Sequence, residues 1–150
     1  VVLNHVEHPD LHGMPFRTQR LVVFAHRDHP LVQQSTLTLK ALEGQRFVIR
    51  EEGSTTRRVF ENELRERGVR VQVALEMGSR EAVREAVAQG LGLGVVAETA
   101  YVPDPRLVKL RVTDTEMATH VGFICRQERR HAPLISTFLS IAAEAGQLMG

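Results

Sequence analysis

"VRVQVALEMGSREAVREAVAQGLGLGVVA", Val69–Ala97, decides the fold. Val71, Val73 and Leu75 alternate with Arg70, Gln72 and Ala74, which predicts a strand over Val69–Glu76. Gly78 and Ser79 open a helix whose apolar stripe is Ala82, Val83, Ala86 and Val87, and Gly90 ends it. Gly92–Ala97, "GLGVVA", follows as a strand that is apolar on both faces. Immediately upstream, Phe47–Arg50 reads as a strand. Thr56–Arg67 reads as a helix with Val59, Phe60 and Leu64 on one face and Gly68 closing it. Strand, helix, strand, helix, strand at this spacing implies an α/β fold with a mainly parallel sheet.

The flanks are less regular. Val1–Leu3 reads as the end of a strand, Asn4–Gly13 as a polar loop, and Arg20–Ala25 as a strand that stops before Pro30. Leu37–Leu42 suits a short helical turn, and Pro103–Pro105 a linker. Leu107–Val112 and His120–Cys125 are strand candidates. The final helix, Pro133–Ala145, is expected to turn Leu134, Ile135, Phe138, Leu139 and Ile141 inward.

Composition narrows the function classes. At 150 residues and 43% hydrophobic, the chain suits one domain or two small lobes. Nineteen basic against eighteen acidic residues leave a net charge of +1, far from a nucleic-acid-binding composition. Any DNA contact is expected from residues outside this sequence. The single cysteine, Cys125, excludes an internal disulfide, fits a reducing compartment and is expected to be a buried structural thiol. No apolar run approaches the ~18–20 residues that span a bilayer, so a cytoplasmic location without membrane contact is expected. A start without methionine, inside a strand, reads as a piece of a longer protein.

The candidate site follows from the two helix starts. In a parallel sheet the loops after the strands' C-terminal ends share one edge, where ligands bind. A helix start carries unpaired N–H groups and about half a positive charge, which suits carboxylate, phosphate or sulfate. Gly53, Ser54, Thr55 and Thr56 form one start, and Gly78 and Ser79 the other. One hydroxyl suffices as a cap, worth about 1 kcal/mol, which leaves the others as donors, while Gly53 lets the backbone approach a ligand. An ordinary polar loop with one cap explains the same residues. Arg57 and Arg58 can fork onto an anion, stay solvated, or pair with Glu51, Glu61 or Glu63.

Other chemistries find little support. His5, His8 and His12 lie in the N-terminal loop with no cysteine and with Pro9 breaking any helix, so no metal site is expected. "GLGLG", Gly90–Gly94, runs from helix to strand, the reverse of a dinucleotide loop, and no cofactor is expected. Ser54 lacks the Gly-x-Ser-x-Gly setting of a nucleophile elbow, and no enzyme activity is expected.

"RDHPL" (Arg27–Leu31), "REEGSTTRRVFENELRERGV" (Arg50–Val69) and "GSREAVREAVAQGLGLGVV" (Gly78–Val96), in that order, resemble the effector-binding domain of LysR-type transcriptional regulators. "PDPRLVKL", "VGFICRQERR" and the apolar helix after them fit as well. The resemblance implies a two-lobed fold like a type 2 periplasmic binding protein. A small effector would bind between the lobes and act on a winged helix-turn-helix that this sequence lacks, within a homo-oligomer. It implies a second lobe over 31–100 and an incomplete first lobe from 1–30 and 101–150. It assigns Gly53, Ser54, Thr55, Thr56, Gly78 and Ser79 to ligand binding. A narrower likeness, to the subgroup associated with 2-aminoethylphosphonate catabolism, implies a phosphonate; a carboxylate is the other anion expected. A transport solute-binding protein of the same fold is the alternative.

Overall fold

The computed structural model describes residues 2–3 and 8–148. Strands β1 (Val2–Leu3), β2 (Leu11–His26), β3 (Arg46–Arg50), β4 (Gln72–Met77), β5 (Leu93–Ala97), β6 (Leu107–Leu110) and β7 (Ala118–Arg126) combine with helices α1 (Thr55–Glu66), α2 (Arg80–Ala88) and α3 (Pro133–Leu148). Residues 20–118 form one compact unit. The described residues up to 19 and from 119 onward form the other.

In the 20–118 unit the strands run in the order β6-β2-β5-β3-β4. β3 pairs parallel with β4 and β5, as the βαβ spacing predicts. β2 pairs antiparallel with both β5 and β6, so the sheet is mixed rather than mainly parallel. The helical crossovers that enforce parallel pairing join only β3, β4 and β5.

The helices cover opposite faces. Phe60 and Leu64 of α1 pack with Val23, Phe47, Ile49, Leu93 and Val95. Val83, Ala86 and Val87 of α2 pack with Phe24, Val48 and Val96. Alternate strand residues thus serve the two cores, which is why β5 is buried along its whole length. Both helices close in the same way. Val69 N–H reaches Leu64 C=O across Gly68 (φ 63°), and Leu91 N–H reaches Ala86 C=O across Gly90 (φ 76°). These are Schellman closures, which need the left-handed residue that glycine supplies. The first of them holds Val69 at the helix end, so β4 begins at Gln72 rather than Val69. β4 is an edge strand on which Val73 and Leu75 stay exposed.

In the other unit, β7 lies between β1 and β2. Phe16 and Phe123 meet at 5.0 Å between ring centroids, and Phe123 and Phe138 of α3 at 5.0 Å edge-on. Thr18 Oγ1 and His120 Nδ1 lie 3.2 Å apart. Two expectations are corrected here. Leu11–Gly13 belong to β2 rather than to a loop. Leu134 and Ile141 face outward, at 83% and 61% exposure, and Phe138 is half exposed. The inward stripe is Ile135, Leu139 and the buried Ala142 instead. Ser136, Thr137, Ser140 and Glu144 mark one polar face, but the apolar arc opposite is wider than the surface this helix buries, and Leu134 and Ile141 lie at its rim.

The 20–118 unit is longer at both ends than the 31–100 span expected for a lobe. Leu21–Phe24 pair with β5, and Leu107–Leu110 pair with β2, so both segments extend the 20–118 sheet. Pro103–Pro105 consequently lies inside that unit, not between units. Cys125 is half-buried, more open than a core thiol. His5 lies outside the described residues, and His8 Nδ1 accepts from the N–H of Asp10 at 3.2 Å.

Candidate functional site

A cavity of about 200 Å³ opens in the 20–118 unit, and every residue lining it belongs to that unit. Its place follows from the topology. β3, β4 and β5 are parallel, so Arg50 at the end of β3 and the residues after β5 share an edge with the starts of α1 and α2. The apolar walls are Phe24, Val83, Val95, Val96 and Tyr101. Tyr101 stands edge-on to Phe24, 5.8 Å between centroids, and burial pushes its phenol up from its ordinary value. The polar groups are Arg50, Thr56, Arg80, Glu81 and Arg84. The volume is roughly seven waters' share of the liquid, which suits a small metabolite.

The charged groups differ in what holds them. Arg50 donates from Nε and Nη2 to the two carboxylate oxygens of Glu51, both at 2.6 Å. Arg84 lies 3.8 Å from Asp104, which is gripped more closely by Arg106 at 2.9 Å. That Arg106 bond, first through its side chain and then its backbone N–H, holds the Asp104 carboxyl down at about 2. Arg106 also forks onto Glu85 at 3.1 Å to each oxygen, tying the segment before β6 to α2. The Arg80 side chain makes no hydrogen bond or ion pair among the described residues. Arg57 is fully engaged: with Glu61 at 2.8 Å, as its four-residue spacing predicts, with Glu76 at 2.6 Å, and with Arg50 C=O at 3.1 Å. It braces α1 against β3 and β4 rather than offering a fork to a ligand.

Of the six predicted residues, Thr56 lines the cavity. Gly53 (φ 86°), Ser54 and Thr55 form the turn leading to it. Ser54 stands at the cap position of α1 without a side-chain capping bond. Among the described residues, the hydroxyls of Ser54, Thr55 and Thr56 make no hydrogen bond with the protein. Ser79 does cap, its Oγ accepting from Ala82 N–H at 3.1 Å. Gly78 and Ser79 do not line the cavity; Arg80 and Glu81, directly after them, do. Arg50, Arg80, Arg84 and Tyr101 also line the cavity and are not among the predicted residues. Arg80, Val83 and Arg84 do carry a signal in the sequence, the three- and four-residue spacing that puts them on one face of α2.

Among the described residues, no group of three or more His, Cys, Asp or Glu is placed to hold a metal, and no helix is long and apolar enough to cross a membrane.

Residues 1–147 match the family described as the LysR substrate binding domain. The chain belongs to that family. Relatives of this LysR domain include the RuBisCO operon transcriptional regulator of Allochromatium vinosum, 34% identical over 137 residues, 89% of this chain and 45% of the relative. The HTH-type transcriptional activator CmpR of Synechocystis is 30% identical over 133 residues, 87% of this chain and 44% of the relative. The LysR domain thus spans less than half the length of these relatives. Among solved structures, the CcmR regulatory domain of Synechocystis in complex with 2-PG superposes with a TM-score of 0.84 at 30% identity, covering 97% of this chain and 71% of that one. The QuiR effector-binding domain in complex with shikimate also gives 0.84, at 16% identity, which shows a shared fold. The chain therefore has the periplasmic-binding-protein-like α/β fold of LysR effector-binding domains, as expected.

Proposed function

We propose that this chain is the sensing part of a LysR-type transcriptional regulator and that it takes a small anionic metabolite in the 200 Å³ cavity. The observation that carries this is the pairing of apolar walls with three guanidiniums, Arg50, Arg80 and Arg84, at the edge where α1 and α2 begin. Arg80 there has no carboxylate partner among the described residues, and the start of α1 adds unbonded hydroxyls and N–H groups. A phosphonate, phosphate or carboxylate satisfies these donors. The CcmR domain, named in complex with 2-PG and 30% identical to this chain, supports a small ligand of this kind. In the whole protein, DNA binding belongs to a separate helix-turn-helix part and the regulator acts as a homo-oligomer; the relatives' names support the first of these. Those names also favour a regulator over an enzyme or a transport solute-binding protein.

The mechanism requires that the anion bind one arrangement of the regulator better than another, since only differential affinity shifts a population. The test is thermal unfolding with and without phosphate, sulfate, simple carboxylates, 2-PG and 2-aminoethylphosphonate. A ligand at 100 times its Kd adds about 2.7 kcal/mol. The expected result is a selective rise in Tm for one anion class, lost in Arg80→Gln. An equal rise in Arg80→Gln overturns the site.

A further inference from the structure

The guanidinium of Arg50 is already occupied. Its Nε and Nη2 donate to both oxygens of Glu51 at 2.6 Å, the side-by-side geometry in which arginine holds a carboxylate or phosphate. Arg50 lines the cavity; Glu51 does not. We propose that Glu51 is a built-in competitor for the effector: its carboxylate holds the Nε–Nη2 edge of Arg50, and an anion that takes this arginine as its bidentate partner displaces it. This rests on the anion-site reading above and adds the residue that sets its affinity.

Three observations carry it. First, the two partners are unequally held. The Arg50 side chain is 19% exposed and that of Glu51 41%, so Glu51 reaches water readily while Arg50 stays at the wall. Second, only a side chain has to move. The backbone of Glu51 is pinned on both sides, its N–H donating to Met77 C=O at 3.0 Å and its C=O accepting from Ser54 N–H at 3.2 Å. Third, Arg57 Nη1 donates to Arg50 C=O at 3.1 Å, which fixes the end of β3 whichever anion Arg50 holds. An arriving ligand exchanges one charge-assisted fork for another, and the Glu51 carboxylate passes into solvent. The pairing also holds the Glu51 carboxyl below its ordinary range, so it is ionised and competing at neutral pH.

Phosphate titration of the 150-residue chain tests this, followed by calorimetry or by Tm. Glu51→Gln removes the competing charge and is expected to tighten phosphate binding about two- to fivefold, the scale of a partly exposed ion pair. Glu52→Gln is the control, because Glu52 is exposed, makes no ion pair among the described residues and carries the same charge. It is expected to leave affinity within experimental error. In an Arg50→Gln background the gain from Glu51→Gln is expected to vanish, as a coupled pair requires; Arg50→Met serves if the glutamine variant is unstable. Weaker phosphate binding in Arg50→Gln together with unchanged or weaker binding in Glu51→Gln overturns the competitor and keeps the site. Equal tightening by Glu51→Gln and Glu52→Gln also overturns it, in favour of a general field effect. Phosphate binding by Arg50→Gln as tight as wild type, or by no variant at all, overturns the placement of the anion at Arg50 itself.

Discussion

The ring of Phe24 occupies the space where residue 94 would carry a side chain. Phe24 and Gly94 are cross-strand partners in β2 and β5. A Cβ built on Gly94 would lie 2.5 Å from Phe24 Cζ and 2.9 Å from Val87 Cγ2. Phe24 lines the cavity and is 2% exposed. Gly94→Ala is therefore expected to cost about 1–3 kcal/mol by overpacking and to weaken anion binding by moving that wall. Urea unfolding and the anion titration read the two effects. Wild-type values in both would mean that the ring relocates freely.

Phe60 is fully buried on α1, with its ring 4.8 Å from that of Phe47. Phe60→Ala is expected to cost about 3–5 kcal/mol. Phe138→Ala, at a half-exposed position, is expected to cost less than half as much. Equal losses in chemical denaturation would contradict the assignment of the larger core to α1.

The two helix starts separate a cap from a bystander. Ser79→Ala removes a side-chain bond to Ala82 N–H and is expected to cost about 1 kcal/mol. Ser54→Ala removes no capping bond and is expected to stay within about 0.5 kcal/mol. A larger loss at Ser54 than at Ser79 would reverse the assignment.

Asp104 links stability to acid pH. Its folded value, about 2, lies below its ordinary 3.8 because of Arg106. A carboxyl lowered on folding contributes stability that is complete above the unfolded value and lost as pH falls from about 4 towards 2. Asp104→Asn is expected to be less stable than wild type at pH 6, with the gap narrowing below pH 4. Urea midpoints between pH 2 and 6 check it, and a pH-independent gap would exclude the ion pair as the cause.

The βαβ centre was legible because its signals were local and agreed. The stripe Val83, Ala86, Val87 has the helical period, Gly68 and Gly90 sit where left-handed closures are needed, and Leu93–Ala97 is apolar throughout. The N-terminal part of β2 was hidden. Met14 and Phe16 do alternate with Gly13, Pro15 and Arg17, but glycine and proline read as breakers. In the site, the hydroxyl turn was legible as a helix start, and Thr56 does line the cavity. In the sequence Arg50 reads only as the end of a strand. Tyr101 and Phe24 meet through a pairing of β2 with β5 that no local spacing encodes.

The opposed placement of α1 and α2 on the sheet also bears on how such a sensor can diversify. The fully buried aromatics, Phe47 and Phe60, lie with α1, whereas Arg80 and Arg84, on the cavity wall, lie on α2. Exchanging exposed charges at the start of α2 alters what the cavity accepts while leaving the aromatic core untouched. Charge exchange at Arg80 and Arg84 can therefore drift without loss of the α1 core, whereas the buried walls Phe24, Val83 and Val96 tie ligand fit to stability on the α2 face itself.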